Sequence, residues 1–288
     1  MLPPTLTSLG LLTFLTGIGL PPAGEGYLSY EIPPDAVRVG PWTVRDSIPR
    51  EGYNYFLPRV ARERKNQVGT EIFQGTQIIQ RELLWKGKRH GVQREWHPNG
   101  VPKNQAPYNQ GQMDGLFQHW DEQGRLVGRY EMRGGRGTCK LYDSQGTLVL
   151  EQEFFNSMRN GLTMEISPIS KRRSITWTKD GETVGQGCNF YPDGGLQLIA
   201  WGKGPLIYFK EDGSLDNTVW RIDGQKVTEA QYAAAAGDPA LPPYFPDATL
   251  YKQQVAPEIR ELLKKYQETP RVKIPLEFDA QGQPVPGP

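Results

Sequence analysis

Between Trp85 and Val219 the chain writes one short unit about six times, and the spacing of its glycines limits the fold more than any other feature. The units open at Gly91, Gly115, Gly137, Gly161, Gly185 and Gly204, at intervals of 24, 22, 24, 24 and 19 residues. Such a period marks a repeat array. Five residues beyond each opening glycine stands a large apolar side chain: Trp96, Trp120, Tyr142, Ile166, Phe190 or Phe209. Nine residues beyond stands a second glycine (Gly100, Gly124, Gly146, Gly194, Gly213), except in the fourth unit, where Ser170 takes its place.

Turn-forming residues precede each second glycine: Pro98-Asn99, Glu122-Gln123, Ser144-Gln145, Pro192-Asp193 and Glu211-Asp212. A type I turn closed by a left-handed glycine makes a three-residue hairpin loop with a bulge. The residue four before the glycine then faces the residue two after it. This register pairs Trp96 with Pro102, Trp120 with Leu126, Tyr142 with Leu148, Phe190 with Leu196 and Phe209 with Leu215. Aromatic residues opposite aliphatic ones are favourable by roughly 0.2–1 kcal/mol a pair. Alternation with period two adds Val92, Leu116, Leu162, Tyr108 and Phe154 to the same face. The fold expected is mainly β, an elongated single antiparallel sheet of repeated hairpins.

The residues Gly87-Lys88-Arg89-His90-Gly91, Trp96, Asn99-Gly100, Tyr108, Gly111, Asp114-Gly115, Trp120, Gly124-Arg125-Leu126 and Tyr130 resemble the variant MORN repeat (membrane occupation and recognition nexus) of YwqK-type antitoxin-like proteins. Trp220 to Tyr232 is similar to the ending that many such proteins carry. The resemblance covers about half the chain. It implies a hairpin array and, for some members, an antitoxin role. The fourth unit departs from the pattern, with Ser170 at the turn and Lys171-Arg172-Arg173 in the return strand.

The flanks read differently. Residues 1–25 carry no charge before Glu25, and Leu11 to Leu20 has the length of a signal-peptide core, with a small-residue cut near Ala23-Gly24. The start lacks the usual Lys or Arg, so a signal peptide, a retained anchor and an unstructured leader all remain as readings. Export, to the periplasm or the outside, is favoured over a cytoplasmic location. Residues 26–80 suggest an N-terminal cap of short strands (Tyr27 to Ile32, Pro41 to Arg45, Tyr53 to Leu57), with Gly75 closing a decayed hairpin. The array proper spans 81–225. Residues 226–270 read as helical, with a capping box at Thr228 and Gln231, a stop at Gly237, and an amphipathic helix carrying Val255, Ile259, Leu262, Leu263 and Tyr266. Residues 271–288 are expected to be a disordered tail.

Chemistry is sparse. A formal charge of +1 provides no field for nucleic acid. No Walker loop, Gly-x-Ser-x-Gly elbow, His-Glu-x-x-His or Cys-x-x-Cys is present. His97 and His119 point away from the Trp96–Trp120 face by parity, and no third ligand accompanies them, so all three histidines are read as solvated and no metal or cofactor is expected. Asp121, Asp143, Asp193 and Asp212 sit where carboxylates accept turn amides. Lys171-Arg172-Arg173 reads either as a contact for an acidic partner or as a solvated edge that deters strand pairing.

The candidate binding residues are the aromatic row Trp96, Trp120, Tyr142, Tyr108 and Tyr130. Either the row packs beneath a cover, or part of it stays open as a groove for a peptide or glycan. The function expected is a non-catalytic scaffold for an unknown protein partner, antitoxin-like by resemblance. The alternative is an envelope protein binding glycan or a membrane surface. Cys139 and Cys188 fall on opposite faces, three and two residues from Tyr142 and Phe190, and are expected to be free thiols.

Overall fold

The computed structural model describes residues 24–44, 50–57, 64–280 and 284–286. The leader expected over residues 1–25 lies outside these, apart from its last two positions. Consecutive antiparallel hairpins build the molecule. Among the described residues they form a ten-stranded and an eight-stranded sheet and a two-stranded ribbon.

All five facing pairs of the sequence register are formed: Trp96 with Pro102, Trp120 with Leu126, Tyr142 with Leu148, Phe190 with Leu196 and Phe209 with Leu215. Each loop closes as the turn chemistry requires. In the first unit His97 N–H donates to the Val101 carbonyl at 2.8 Å and Gly100 N–H to the His97 carbonyl at 2.9 Å. The same two bonds recur at Asp121, Asp143, Tyr191 and Lys210. At the other end of the hairpins the connecting turns bond to one another. Gly111 N–H donates to Arg89, Gly135 to Met113, Ser157 to Gly135 and Gly181 to Arg159, at 2.7 to 2.9 Å. The repeat period is therefore also a hydrogen-bond period.

The expectation of one unbroken sheet is corrected. The ladder stops between Leu126–Met132 and Gly137–Tyr142, where the isolated bridge between Arg133 and Arg136 joins the two halves. This is the 22-residue interval. Tyr130 comes six positions after Gly124, whereas Tyr108 comes eight after Gly100, so the return strand is two residues short of the rung-by-rung pattern. Gly75 does close a further hairpin, between Gln67–Gln74 and Gln77–Trp85. The strand expected at Tyr27 to Ile32 is instead a 3-10 helix, Gly24–Ser29. It lies against the strands Gly91–Trp96 and Pro102–Asn109, with Tyr27 Oη donating to the Asp114 carbonyl at 2.9 Å.

The C-terminal segment covers one face of the second sheet. Helix α1 (Glu229–Ala235) starts at the Thr228–Gln231 capping box and ends two residues before Gly237. A 3-10 turn, Ala248–Gln254, leads into helix α2 (Pro257–Glu268), with Pro257 in its first turn. Tyr232, Tyr251, Val255, Ile259 and Tyr266 bury themselves against Met164, Ile175, Ile199, Ile207 and Phe209. Each such aliphatic or aromatic side chain contributes roughly 1.5–3 kcal/mol by leaving water. Polar bonds fix the docking. Gln186 donates to the Gln254 carbonyl at 2.8 Å and accepts the Ala256 N–H at 2.7 Å. The Glu151 carboxylate accepts from Tyr266 Oη and from Lys265 Nζ.

Residues 271–280, expected to be disordered, instead pack. Val272 and Leu276 are buried in the same core. Val272 N–H donates to the Gly146 carbonyl and Leu276 N–H to that of Leu126. The apolar pattern Val-x-Ile-x-Leu-x-Phe from Val272 to Phe278 explains the docking. Composition alone concealed it. No helix among the described residues is long and apolar enough to cross a membrane.

Candidate functional site

The aromatic row is split between two cores. Tyr142 is 7% exposed, packed with Leu148 and Phe190 beneath the C-terminal segment. Tyr108 and Tyr130 pack on the opposite face around Phe117, at ring-centroid distances of 6.1 and 5.3 Å, with Ala106, Met113, Met132 and Cys139. Trp96 and Trp120 are half-buried. The single face expected for the five residues is thus corrected, and so is that of Phe154, which joins the Tyr108 side.

A second bulge is the cause. Beyond each facing pair the return strand slips by one residue: Trp120 faces Leu126, but His119 faces Gly128. The same slip follows Trp96, Tyr142, Phe190 and Phe209. Two residues oppose one, so side chains further along the return strand change faces. The inserted residues are Lys103, Val127, Val149, Gln197 and Asp216. They are a lysine, two valines, a glutamine and an aspartate, with no residue type common to all, which is why the slip has no sequence signature.

The histidines are engaged rather than solvated, a further correction. His90 is fully buried, ringed by Tyr27, Tyr30 and Trp85 at 5.2 to 6.4 Å, and Nδ1 accepts the Gln110 N–H at 3.3 Å. His119 stacks on Tyr130 with Nε2 2.8 Å from its hydroxyl. Burial pushes the His119 imidazole down to about 4, with Lys103 adding to the effect. His97 Nε2 lies 2.9 Å from the Trp120 carbonyl. The carboxylates serve their turns. Asp121 accepts from the Gln123 and Arg125 amides at 3.0 and 2.9 Å, Asp143 from Gln145 and Thr147 at 2.9 and 3.0 Å. Asp193 and Asp212 accept at 2.8 and 2.7 Å. Among the described residues no three His, Cys, Asp or Glu side chains gather as a metal site.

The fourth hairpin differs from its neighbours. Its loop holds one residue more, with Ser167 N–H donating to the Arg172 carbonyl and Lys171 at φ 56° where the others have glycine. Ile166 faces Arg173 and Glu165 faces Ser174, with no slip. The extra residue that other units insert in the strand is here inserted in the tip. Ile169 consequently projects, 94% exposed. Beside it opens a cleft of about 440 Å³ walled by Leu141, Val149, Leu150, Ile166, Pro168 and Pro192.

These hairpins, joined rung to rung and capped at the C-terminal end, define a β-hairpin repeat protein. Residues 89–110 match the family described as MORN repeat variant. The matched stretch holds His90, Gly91, Trp96, Gly100 and Tyr108, and the register set by that unit recurs down the array. A search of curated proteins gave no match.

Proposed function

We propose that this chain is a non-catalytic scaffold that presents its hairpin array to a protein partner, antitoxin-like in the sense of the family it resembles. The observation that carries the reading is the MORN repeat match set within a regular hairpin array. A C-terminal segment occupies one face of the second half and bonds to the tips at Gly146 and Gly213, while the fourth tip stays exposed at Ile169. Repeat arrays of this kind offer extended binding surfaces rather than enclosed pockets.

We further propose that the chain is exported and cut near Ala23-Gly24. Tyr27, four residues beyond that point, is buried against the array, so a cut there would keep this contact in the mature chain. Cross-linking of the tagged full-length chain in its own cells, followed by mass spectrometry of the adduct and of the mature N-terminus, tests both proposals. The expected result is one protein partner in stoichiometric amount and a terminus at or near Gly24. Recovery with peptidoglycan or liposomes, and with no protein, would overturn the scaffold reading. An intact Met1 terminus would overturn the cut, and with the chain recovered from the cytoplasm it would overturn export.

A further inference from the structure

The tip of the fourth hairpin combines features that the other tips lack. Moving the extra residue from strand to loop lifts Ile169 into solvent. An aliphatic side chain held that far out has no intramolecular partner to lose, and it gains by burial against another molecule. The cleft next to it is apolar in its walls, and Lys171 and Arg173 stand in its lining.

The basic side chains of this tip are consecutive. Arg173 Nη1 donates to the Pro192 carbonyl at 3.0 Å, which fixes the guanidinium, while its buried Nε has no acceptor. That Nε is closed to a partner, so a carboxylate would meet the guanidinium at its terminal nitrogens, the usual bidentate edge. Arg172 lies over the Tyr191 ring at 5.5 Å, and Lys171 is exposed. Two carboxylates share the lining, Asp143 and Glu165. Asp143 accepts the amides of its own turn. Asp143 keeps its charge, so the three consecutive cations Lys171, Arg172 and Arg173 exceed the two carboxylates by one at this tip.

We propose that the Pro168–Arg173 tip and the adjoining cleft are the docking site for an extended segment of a protein partner, one that carries an aliphatic residue within two or three positions of an Asp or Glu. The aliphatic side chain enters the cleft between Leu150, Ile166 and Pro192 and packs on Ile169. The carboxylate pairs with Arg173 and the neighbouring Lys171 and Arg172. This site rests on the scaffold reading and assigns that reading a place on the array and a partner chemistry.

The test is a random heptapeptide display library selected on the full chain, with enriched peptides measured by fluorescence anisotropy. Sequences pairing Asp or Glu with Leu, Ile or Val should be enriched. Their affinity should fall about tenfold or more in Ile169→Ser and in the double variant Lys171→Glu/Arg172→Glu, which alter exposed side chains, and hold in Lys226→Glu. Exchanging the acidic residue of the peptide for Lys should restore binding to the double variant. Enrichment without that pattern, no enrichment, or peptides that bind the tip variants as tightly as the parent chain would each overturn the site. Phosphatidylserine-containing vesicles that capture the parent chain and release both tip variants would reassign the tip to a lipid surface and overturn it too. A cross-linked protein partner retained by the tip variants would remove this docking site while leaving the scaffold reading in place.

Discussion

Leu276 donates its main-chain N–H to the carbonyl of Leu126 at 3.1 Å, and with Val272 on Gly146 at 2.7 Å it ties the two sheets together across the break between them. Leu126 belongs to the ten-stranded sheet, whereas Gly146 closes a hairpin of the eight-stranded one. Replacing the buried Leu276 by Ala should destabilise the chain by about 2–3 kcal/mol, the transfer loss plus a residual cavity. Urea denaturation checks this. A midpoint equal to that of the parent chain would mean that the strap adds nothing to the joint.

The strap also grades the turn glycines. At Gly124 (φ 77°) an added Cβ meets nothing closer than Val101 Cγ1 at 3.6 Å. Gly124→Ala should then cost about 1–2 kcal/mol from left-handed strain alone, and valine more. At Gly146 (φ 78°) the same Cβ lands 1.8 Å from the Val272 carbonyl oxygen. Gly146→Ala should cost clearly more than Gly124→Ala, and the excess should vanish when residues 271–288 are removed. Equal costs in the intact chain would place the strap elsewhere.

His119 makes stability depend on acid. Burial lowers its folded pKa from 6.5 to about 4. Above pH 6.5 neither state binds the proton. Between 6.5 and 4 the unfolded chain binds it and the folded chain does not, so stability falls as pH falls across that window. Midpoints measured from pH 7 to 4 should decline less steeply in His119→Gln than in the parent chain. Parallel declines would show that other groups carry the slope.

The sequence made the hairpins legible because glycine spacing and aromatic–aliphatic pairing describe the same turn twice. Trp120 and Leu126 could be paired from residue types alone, as could Phe209 and Leu215. Tyr108 and Tyr130 could not be assigned to a face, because the slip beyond each pair is made by an ordinary strand residue such as Val127 or Lys103 with no glycine to mark it. The fourth unit was legible as a departure from the pattern, but where its extra residue went was not. Position 170 was expected to hold the left-handed residue, and Lys171 holds it. The tail was misread because its apolar alternation is short and set among prolines. That alternation becomes meaningful against backbone partners, Gly146 and Leu126, that lie more than a hundred positions earlier.

The cysteines test the face assignment that parity did give correctly. Cys139 faces Gln152 and packs in the core around Phe117. Cys188 faces Ile175 and Ile199 in the core beneath the C-terminal helices. Both are free, at 5% and 1% exposure. Burial pushes the Cys139 thiol up to about 11 and the Cys188 thiol up to about 12. Alkylation without reductant at pH 8 should therefore leave the native chain unlabelled and give the denatured chain two labels, read by intact mass. A chain that takes no label when denatured would mean that the two thiols are joined and that the two-core arrangement is wrong. The same shifts set an alkaline limit. From about pH 9 upward the unfolded thiols ionise while the folded ones stay protonated, so the folded state binds more protons and stability falls as pH rises. Cys188→Ala removes one of these groups and should make the decline between pH 9 and 11 shallower; an unchanged slope would assign that decline to the buried tyrosines instead.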